Sequence, residues 1–393
     1  MAQSMPIPVS VGAHAKTAAE AERVPWYVWS FLASAACAVI GATWDISWHM
    51  SIGRDTFWSP PHLFIYASGL LAGFTAAWMI LYTTFQQGAP LRAVSVRMWG
   101  FLGPAGAFLA AWGALAMITS APFDDWWHNT YGLDTKILSP PHLVLAFGLL
   151  GIRFGALFVS VSEMNRASGD LRRRLERVVL LIGGTLLGIA VGTFLELITR
   201  NFMHSARFYL VLGSSVPVVL AAIREVTRHR WGATIVAGIL FCFQLGLLWI
   251  LPLFPAEPKL GPVYWQITHF IPSPFPVLLV IPAFATDLLR QRMPDARWAY
   301  ALLAGPLFVL TLLAVQWPFA DFLNSPAARN WIFGTHYFPY FMPPVADLPR
   351  GLYTQVETTT AQFTMRMGLA LLCAAISTRL GIGWGTWMSR LRR

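Results

Sequence analysis

Long apolar segments alternate with short polar ones along most of the chain, and each segment is long enough to cross a hydrocarbon core of about 30 Å. They lack the period-two alternation of membrane β-barrel strands, and only helices or closed barrels can cross lipid. The pattern therefore predicts an all-α polytopic transmembrane helix bundle of about ten helices. We place these helices at 26–49, 60–85, 98–123, 140–163, 178–198, 207–225, 232–254, 270–289, 298–319 and 362–385.

Composition agrees with a membrane protein, since 56% of the residues are hydrophobic, 12% are charged and the mean hydropathy is +0.55. The net charge of +10 does not indicate nucleic-acid binding, because the basic residues collect in alternate loops. The positive-inside rule assigns these loops to the cytoplasm and predicts a multi-pass protein of the inner (cytoplasmic) membrane. The loops contain Arg92 and Arg97, Arg166 and Arg172 to Arg177, Arg224 to Arg230, Arg290 to Arg297, and Arg390 to Arg393.

Three regions follow from this layout. Residues 1–24 form a cytoplasmic tail without the apolar core and cleavage site of a signal peptide, so we expect the first helix to be the uncleaved insertion signal. Residues 25–165 carry a duplicated helical hairpin, and residues 166–393 form a C-terminal bundle with a long outer loop at 320–361. A loop of this length indicates a lid, a docking surface or a partly re-entrant segment.

The duplicated hairpin carries the most specific signal. Asp45 and His49 are followed by Ser-Pro-Pro-His ending at His62, and Asp124 and His128 are followed by the same four residues ending at His142. The first two residues of each set are four apart, and the second histidine follows thirteen residues on in one copy and fourteen in the other. This pattern indicates an internal duplication with parallel topology.

The residue types in each set suit a metal ion. On a helix, residues four apart project from one face, so Asp45 and His49, like Asp124 and His128, could share one ion. Pro-Pro suits the first turn of the next helix and brings His62 or His142 to the same end. Two imidazoles and one carboxylate leave coordination positions open to water, oxygen or substrate, and suit copper or non-haem iron. The three cysteines lie singly in apolar helices and indicate neither a disulfide framework nor a cysteine metal site.

Other interpretations remain open. Asp and His at helix ends can cap helices, pair with one another or contact headgroups, and the neighbouring tryptophans can form an interfacial belt. The belt candidates are Trp44, Trp48, Trp58, Trp126 and Trp127. Asp55 and Asp134 occupy equivalent Gly-x-Asp-Thr segments, for which an Asx-type turn is favoured over support of a ligand histidine. The predicted topology places His204, His269 and His336 on the same outer side as the four repeated histidines.

The paired motif resembles that of the C subunit of the copper membrane monooxygenases, the particulate methane and ammonia monooxygenase family. The resemblance covers about residues 40–145, and residues from about 165 onward have no counterpart in it. It implies two neighbouring intramembrane copper sites, one made by Asp45, His49 and His62 and the other by Asp124, His128 and His142. It also implies other monooxygenase subunits in an oligomer, including a cupredoxin-like chain separate from this one.

The resulting functional expectation is a copper-dependent membrane monooxygenase or its metal-bearing subunit. The two sets, facing the periplasmic or outer side, would be both metal ligands and catalytic residues for the oxidation of a small apolar or ammonia-like substrate with dioxygen. The alternatives are a membrane copper transport or handling protein, and a structural subunit in which the sets bind no metal. The lipid bilayer is the expected partner in every case, and nucleic acid in none.

Overall fold

A computed structural model describes residues 23–132, 139–343, 353–354 and 356–392. The tail prediction for 1–22, the turn prediction for Asp134, and residues 344–352 and 355 of the predicted outer loop lie outside the described residues. Within them the chain is an all-α bundle of ten helices: α1 Trp26–Ser51, α2 Pro60–Phe85, α3 Ala105–Tyr131, α4 Pro140–Arg166, α5 Gly169–Gly192, α6 Ala206–Thr227, α7 Gly232–Ile250, α8 Val280–Arg292, α9 Arg297–Asn324 and α10 Thr360–Met388.

Nine of these ten helices, all except α8, are long and apolar enough to cross a membrane, so the described part of the chain is a multi-pass membrane protein. Each helix of the duplicated region packs on its partner, α1 against α2 and α3 against α4. The α3–α4 contact is very close, because the backbones of Gly113 and Gly148 leave no room for a side chain on either. Small residues permit such an approach where lipid supplies no hydrophobic drive for helix association.

The predicted helix start at residue 98 is wrong. Residues Val96–Met98 and Phe101–Gly103 form a small antiparallel hairpin, strands β1 and β2, and α3 begins only at Ala105. Trp99 and Gly100 between the strands both have positive φ, the conformation of a tight two-residue hairpin turn. The apolar sequence before Pro104 therefore forms this hairpin and not the first turns of a helix. Another boundary also differs, since α5 begins at Gly169 and includes the basic run Arg172 to Arg177.

The predicted helix at 270–289 is also wrong in its first half. Residues 271–278 belong to no helix, and α8 covers only Val280–Arg292. Pro272, Pro274 and Pro276 explain the difference, because each proline lacks a backbone donor and pushes the preceding residue out of the α region. Apolar composition predicted burial here correctly, but burial does not require a helix.

Side chains of neighbouring helices make hydrogen bonds to the backbone groups of this non-helical segment. Backbone outside a helix needs such partners in a membrane, because lipid offers none. Ser51 on α1 accepts a hydrogen bond from the Ile271 amide at 2.7 Å, and Ser47 donates to the Ile271 carbonyl oxygen. Farther along, the Leu278 amide donates to the fully buried Gln316 of α9 at 3.0 Å. The extended segment 254–279 is thus fixed directly to the helix that carries Asp45 and His49.

The basic helix ends gather at one end of the bundle. Arg290 on α8 pairs with Glu225 on α6 at 2.8 Å, and Gln291 donates to the Arg230 carbonyl oxygen. Asn165 at the end of α4 donates to the carbonyl oxygens of Met388, the last residue of α10, and of Leu391. These contacts agree with the predicted grouping of basic loops on one side. The assignment of that side to the cytoplasm remains a prediction.

Candidate metal centre

The structure brings the first predicted set together at the junction of α1 and α2. Asp45 lies between the two histidines, with Oδ2 at 3.8 Å from His49 Nε2 and Oδ1 at 3.3 Å from His62 Nε2. Helical geometry up to Ser51 places Asp45 and His49 on one face, and Pro60–Pro61 open α2 so that His62 lies in its first turn. The sequence pattern alone predicted this convergence.

Asp55 is a fourth member of the first set. Its Oδ2 lies 3.7 Å from His49 Nε2 and 3.2 Å from His62 Nε2, and only 8% of the side chain is exposed. Ligand atoms of Asp45, His49 and Asp55 all lie within 4.8 Å of one another. The Asx-type turn favoured from the sequence is therefore wrong for Asp55, because its carboxylate faces the two imidazoles. The sequence feature that could have indicated this role is the Gly-x-Asp-Thr segment, which is repeated in the second copy.

Electrostatics favour a negative charge on Asp55, which lies in the connection between α1 and α2. Burial alone would raise the pKa of this carboxyl group. The hydrogen bond from His62 and the charges of His49, His62 and His128 outweigh burial and hold the pKa below its ordinary value. With Asp45, the first set therefore offers two carboxylates and two imidazoles in one confined space.

The second set has the same order of contacts at the junction of α3 and α4. Asp124 Oδ2 lies 3.5 Å from His128 Nε2, and Asp124 Oδ1 lies 3.5 Å from His142 Nε2. As in the first set, each carboxylate oxygen faces one imidazole. The three side chains form two pairs around Asp124, however, and among the described residues the closed grouping within 4.8 Å occurs only at the first set.

One ring nitrogen of a histidine in each set is held by its own helix end. His49 Nδ1 lies 3.2 Å from the Gly53 carbonyl oxygen, and His128 Nδ1 lies 3.3 Å from that of Gly132. Both glycines have φ near +90°, which turns the chain sharply after the helix. A proton on Nδ1 then leaves the Nε2 lone pair for the space between the carboxylates, which is how proteins orient metal-binding imidazoles.

The donor atoms fit a metal ion. Two ligand atoms about 2.1 Å from one ion, at tetrahedral or octahedral angles, are roughly 3.0–3.4 Å apart. The contacts of His62 with Asp45 and Asp55, at 3.3 and 3.2 Å, lie in this range, and the other contacting nitrogen and oxygen atoms, at 3.5–3.8 Å, are slightly farther apart. In addition, the buried Nδ1 of His62 has no hydrogen-bond partner among the described residues, so Nε2 is the atom through which this ring makes its polar contacts.

The two sets lie close enough to influence each other electrostatically. His128 of the second set acts on Asp55, while Asp55 and His62 of the first set act on Asp124. Tyr66 on α2 is close to the first set, with its ring 6.0 Å from that of His62, and it interacts with the charges of both Asp124 and Asp45. The sets therefore form a pair of neighbouring sites.

The remaining outer histidines make other contacts. His204 is stacked between Trp317 and Tyr353, His269 lies 2.9 Å from the Thr268 hydroxyl, and His336 is stacked on Tyr337. An apolar cavity of about 290 Å³, lined by Ile80, Phe101 and Trp112 among others, lies elsewhere. Ile80 follows His62 by 18 helical residues, roughly 27 Å, so this cavity is not part of the metal centre.

Comparison of the chain with protein-family models, with curated proteins and with solved structures yields no match. A functional assignment therefore depends on these side chains and on their geometry.

Proposed function

We propose that this chain is the metal-bearing subunit of a copper-dependent membrane monooxygenase. Asp45, His49 and His62, joined by Asp55, hold one ion, and Asp124, His128 and His142 hold another. The proposal is carried by one observation, the convergence of each Asp-His-His set through the same atoms, with Oδ2 facing the first imidazole and Oδ1 facing the second.

Charge supports a cation at both sites. Carboxylates confined with imidazoles in a membrane-embedded protein are costly unless a positive charge compensates them, and ionisable groups at such positions are usually functional. The chain itself keeps Asp55 anionic and directs Nε2 of His49 and His128 towards the carboxylates. A closed structural metal site normally has four protein ligands, and among the described residues the second set supplies three, namely Asp124, His128 and His142.

The charges alone do not identify the metal. The resemblance of the motif to the copper membrane monooxygenases favours copper and a reaction with dioxygen. The same ligands suit non-haem iron, which is the alternative metal. Bound copper would supply one-electron chemistry towards dioxygen, and a small apolar or ammonia-like molecule would be the substrate. A separate cupredoxin-like chain and other subunits in an oligomer complete the proposed enzyme, with both sites towards the periplasmic side of the inner membrane.

Elemental analysis of protein purified in lipid nanodiscs tests metal binding. Wild-type protein loaded with copper should retain up to two ions per chain, and the His49→Ala, His128→Ala double variant should retain less than about a tenth of that, because each set loses an imidazole. The His269→Ala, His336→Ala double variant is the matched control, since it removes two outer histidines that lie outside the sets. Equal copper in all three proteins would refute the ligand assignment.

Oxygen consumption tests the reaction. Membranes that contain the protein and its partner subunits should consume dioxygen when given a small hydrocarbon or ammonia together with an electron donor, and Asp124→Ala should abolish this consumption. Copper uptake into sealed vesicles without substrate-dependent oxygen consumption would instead establish metal transport. Copper binding with neither activity would leave a structural or storage role and refute the enzyme.

A further inference from the structure

The phenol of Tyr340 lies against Gly53, directly after the end of α1. Tyr340 belongs to the outer connection between α9 and α10, and only 4% of its surface is exposed. A side chain on Gly53 would overlap the phenolic oxygen and would approach the ring carbon Cζ to 2.8 Å. Together with its φ of +88°, this contact means that a side chain at position 53 would be strained and would displace Tyr340.

Gly53 is also the residue that orients His49. Its carbonyl oxygen lies 3.2 Å from His49 Nδ1, while His49 Nε2 faces Asp45 and Asp55. Tyr340 thus packs on the peptide that holds one side of a proposed ligand. Since loss of a metal ion requires a ligand to swing away, a fixed Gly53 should keep His49 in place.

Backbone hydrogen bonds hold Tyr340 in this position. Its amide donates to the Met50 carbonyl oxygen at 3.2 Å, and its carbonyl oxygen accepts from the amides of Tyr264 and Trp265. The Lys259 amide in turn donates to the Ile52 carbonyl oxygen at 2.9 Å. Two outer segments, 254–271 and 337–343, therefore close over the end of α1.

The second hairpin lacks such a contact among the described residues. Gly132 has the same conformation as Gly53, and its carbonyl oxygen makes the same contact with His128 Nδ1. No atom of the described residues, however, lies within 4 Å of where a side chain on Gly132 would be. Within the part of the chain that the structure describes, no residue corresponds to Tyr340 at the orienting peptide of the second set.

We propose that Tyr340 is a positioning residue of the first metal site, which acts through Gly53 on His49 and makes this site the slowly exchanging one of the pair. At the second site, where the described residues supply no such packing, the ion exchanges first. This inference rests on the proposed function, because it assumes that both sets bind metal.

The test measures copper release from proteins that retain one site each. His128→Ala with His142→Ala leaves only the first site, and His49→Ala with His62→Ala leaves only the second. Each protein is loaded with copper in nanodiscs and mixed with an excess of a strong copper chelator. In the first-site protein, Tyr340→Ala should accelerate release at least tenfold, whereas in the second-site protein it should change the rate by less than twofold.

Two further variants separate positioning from general loosening. Trp331→Ala, which alters an exposed aromatic residue of the same connection, should change neither rate. Tyr340→Phe keeps the ring carbons that reach Gly53 and should stay within threefold of the parent first-site protein. The second-site protein with Tyr340→Ala also reports folding, because it must still bind copper.

Equal release rates with and without Tyr340→Ala in the first-site protein would overturn the inference and leave the proposed function intact, as would equal acceleration in both proteins. Absence of copper from both single-site proteins would overturn the proposed function, and the inference with it. If Tyr340→Ala does not fold, Gly53→Ala in the first-site protein should accelerate release more than Gly132→Ala does in the second, because only residue 53 meets Tyr340. Equal effects of the two alanines would count against the inference.

Discussion

The two hairpins of the duplicated region place the same residue types in the same order, yet their surroundings differ. The first site gathers a second carboxylate, Asp55, and is covered by Tyr340 and the extended segment 254–279. At the second site, two imidazoles contact Asp124, and no described atom lies within 4 Å of a side chain placed on Gly132. Similar local sequence therefore gives similar ligand orientation, while distant parts of the chain determine enclosure.

Serine positions illustrate how the difference arises. Ser47 and Ser51 on α1 hold Ile271 of the extended segment, but the corresponding positions on α3 are Trp126 and Thr130. The Thr130 hydroxyl donates to the Trp126 carbonyl oxygen of its own helix. The Ser51 hydroxyl donates to the Ser47 carbonyl oxygen in the same way and also accepts from the Ile271 amide, so this bond does not distinguish the two helices. The difference lies at the other position, where the first helix presents Ser47 to Ile271 and the second presents the exposed ring of Trp126.

The largest expected difference between the sites concerns their central carboxylates. Asp124→Ala removes the carboxylate that contacts both imidazoles of the second set and should lower copper affinity there more than about 100-fold. Loss of a residue that only supports a ligand usually lowers metal affinity by about 10–100-fold. Asp45→Ala should cost the first site only about tenfold, because Asp55 still contacts both imidazoles. Chelator competition on the single-site proteins measures both values. A loss of 100-fold or more on Asp45→Ala would show that Asp55 does not act as a ligand.

Asp55→Asn tests the second carboxylate directly. The amide keeps the size of the side chain but removes its charge, so copper affinity of the first site should fall about tenfold. The affinity of the second site should change less, since Asp55 reaches it only through electrostatic interaction. An unchanged first site would restore the interpretation of Asp55 as a turn residue.

Loss of the serine contacts should make the first site resemble the second. The Ser47→Ala, Ser51→Ala double variant leaves the amide and carbonyl groups of Ile271 without their side-chain partners, which should cost about 1–2 kcal/mol of stability for each bond. Thermal unfolding in nanodiscs should show the loss, and copper release from the first site should quicken. Thr130→Ala is the matched control and should change neither quantity appreciably.

The smallest expected effect lies at the far end of the connection that carries Tyr340. Glu357 accepts hydrogen bonds from the Ser205 hydroxyl and the Arg207 amide, and it pairs with Arg366 at 2.9 Å. Burial would raise the pKa of Glu357, but these partners hold it below its ordinary value of 4.5. Its stabilising contribution is therefore present above pH 4.5 and is lost as the pH falls through the lowered pKa.

Glu357→Gln should consequently lower stability by about 1 kcal/mol at pH 7, and the difference from wild type should shrink towards zero below the lowered pKa. Thermal unfolding between pH 3 and about pH 7 measures it. The release rate at the second site should not change. A difference that grows on acidification would contradict the assigned role of Glu357.

Sequence patterns predicted the helical architecture because the length of an apolar segment and the charge of a loop can both be read from a short stretch of sequence. They failed at Trp99–Gly100 and at the prolines of 272–276, where backbone geometry overrides apolar composition. The predicted histidines and aspartates converge because helical periodicity and the Pro-Pro start of α2 and α4 fix their directions. The contact of Tyr340 with Gly53 joins residues 287 positions apart, and no local sequence pattern predicts it. The glycine that both copies share, Gly53 or Gly132, indicates only the turn that follows the helix.

The short helix α8 has a consequence for how the chain enters the membrane. Its 13 residues extend about 20 Å, less than the hydrocarbon thickness of about 30 Å. The preceding extended segment cannot enter lipid alone, because its backbone groups depend on Ser51 and Gln316. During synthesis, α1 must therefore remain accessible until residue 271 emerges, and α9 must follow before segment 254–292 can settle. The stage of membrane insertion that settles this segment is then also the stage at which the segment covers the first site.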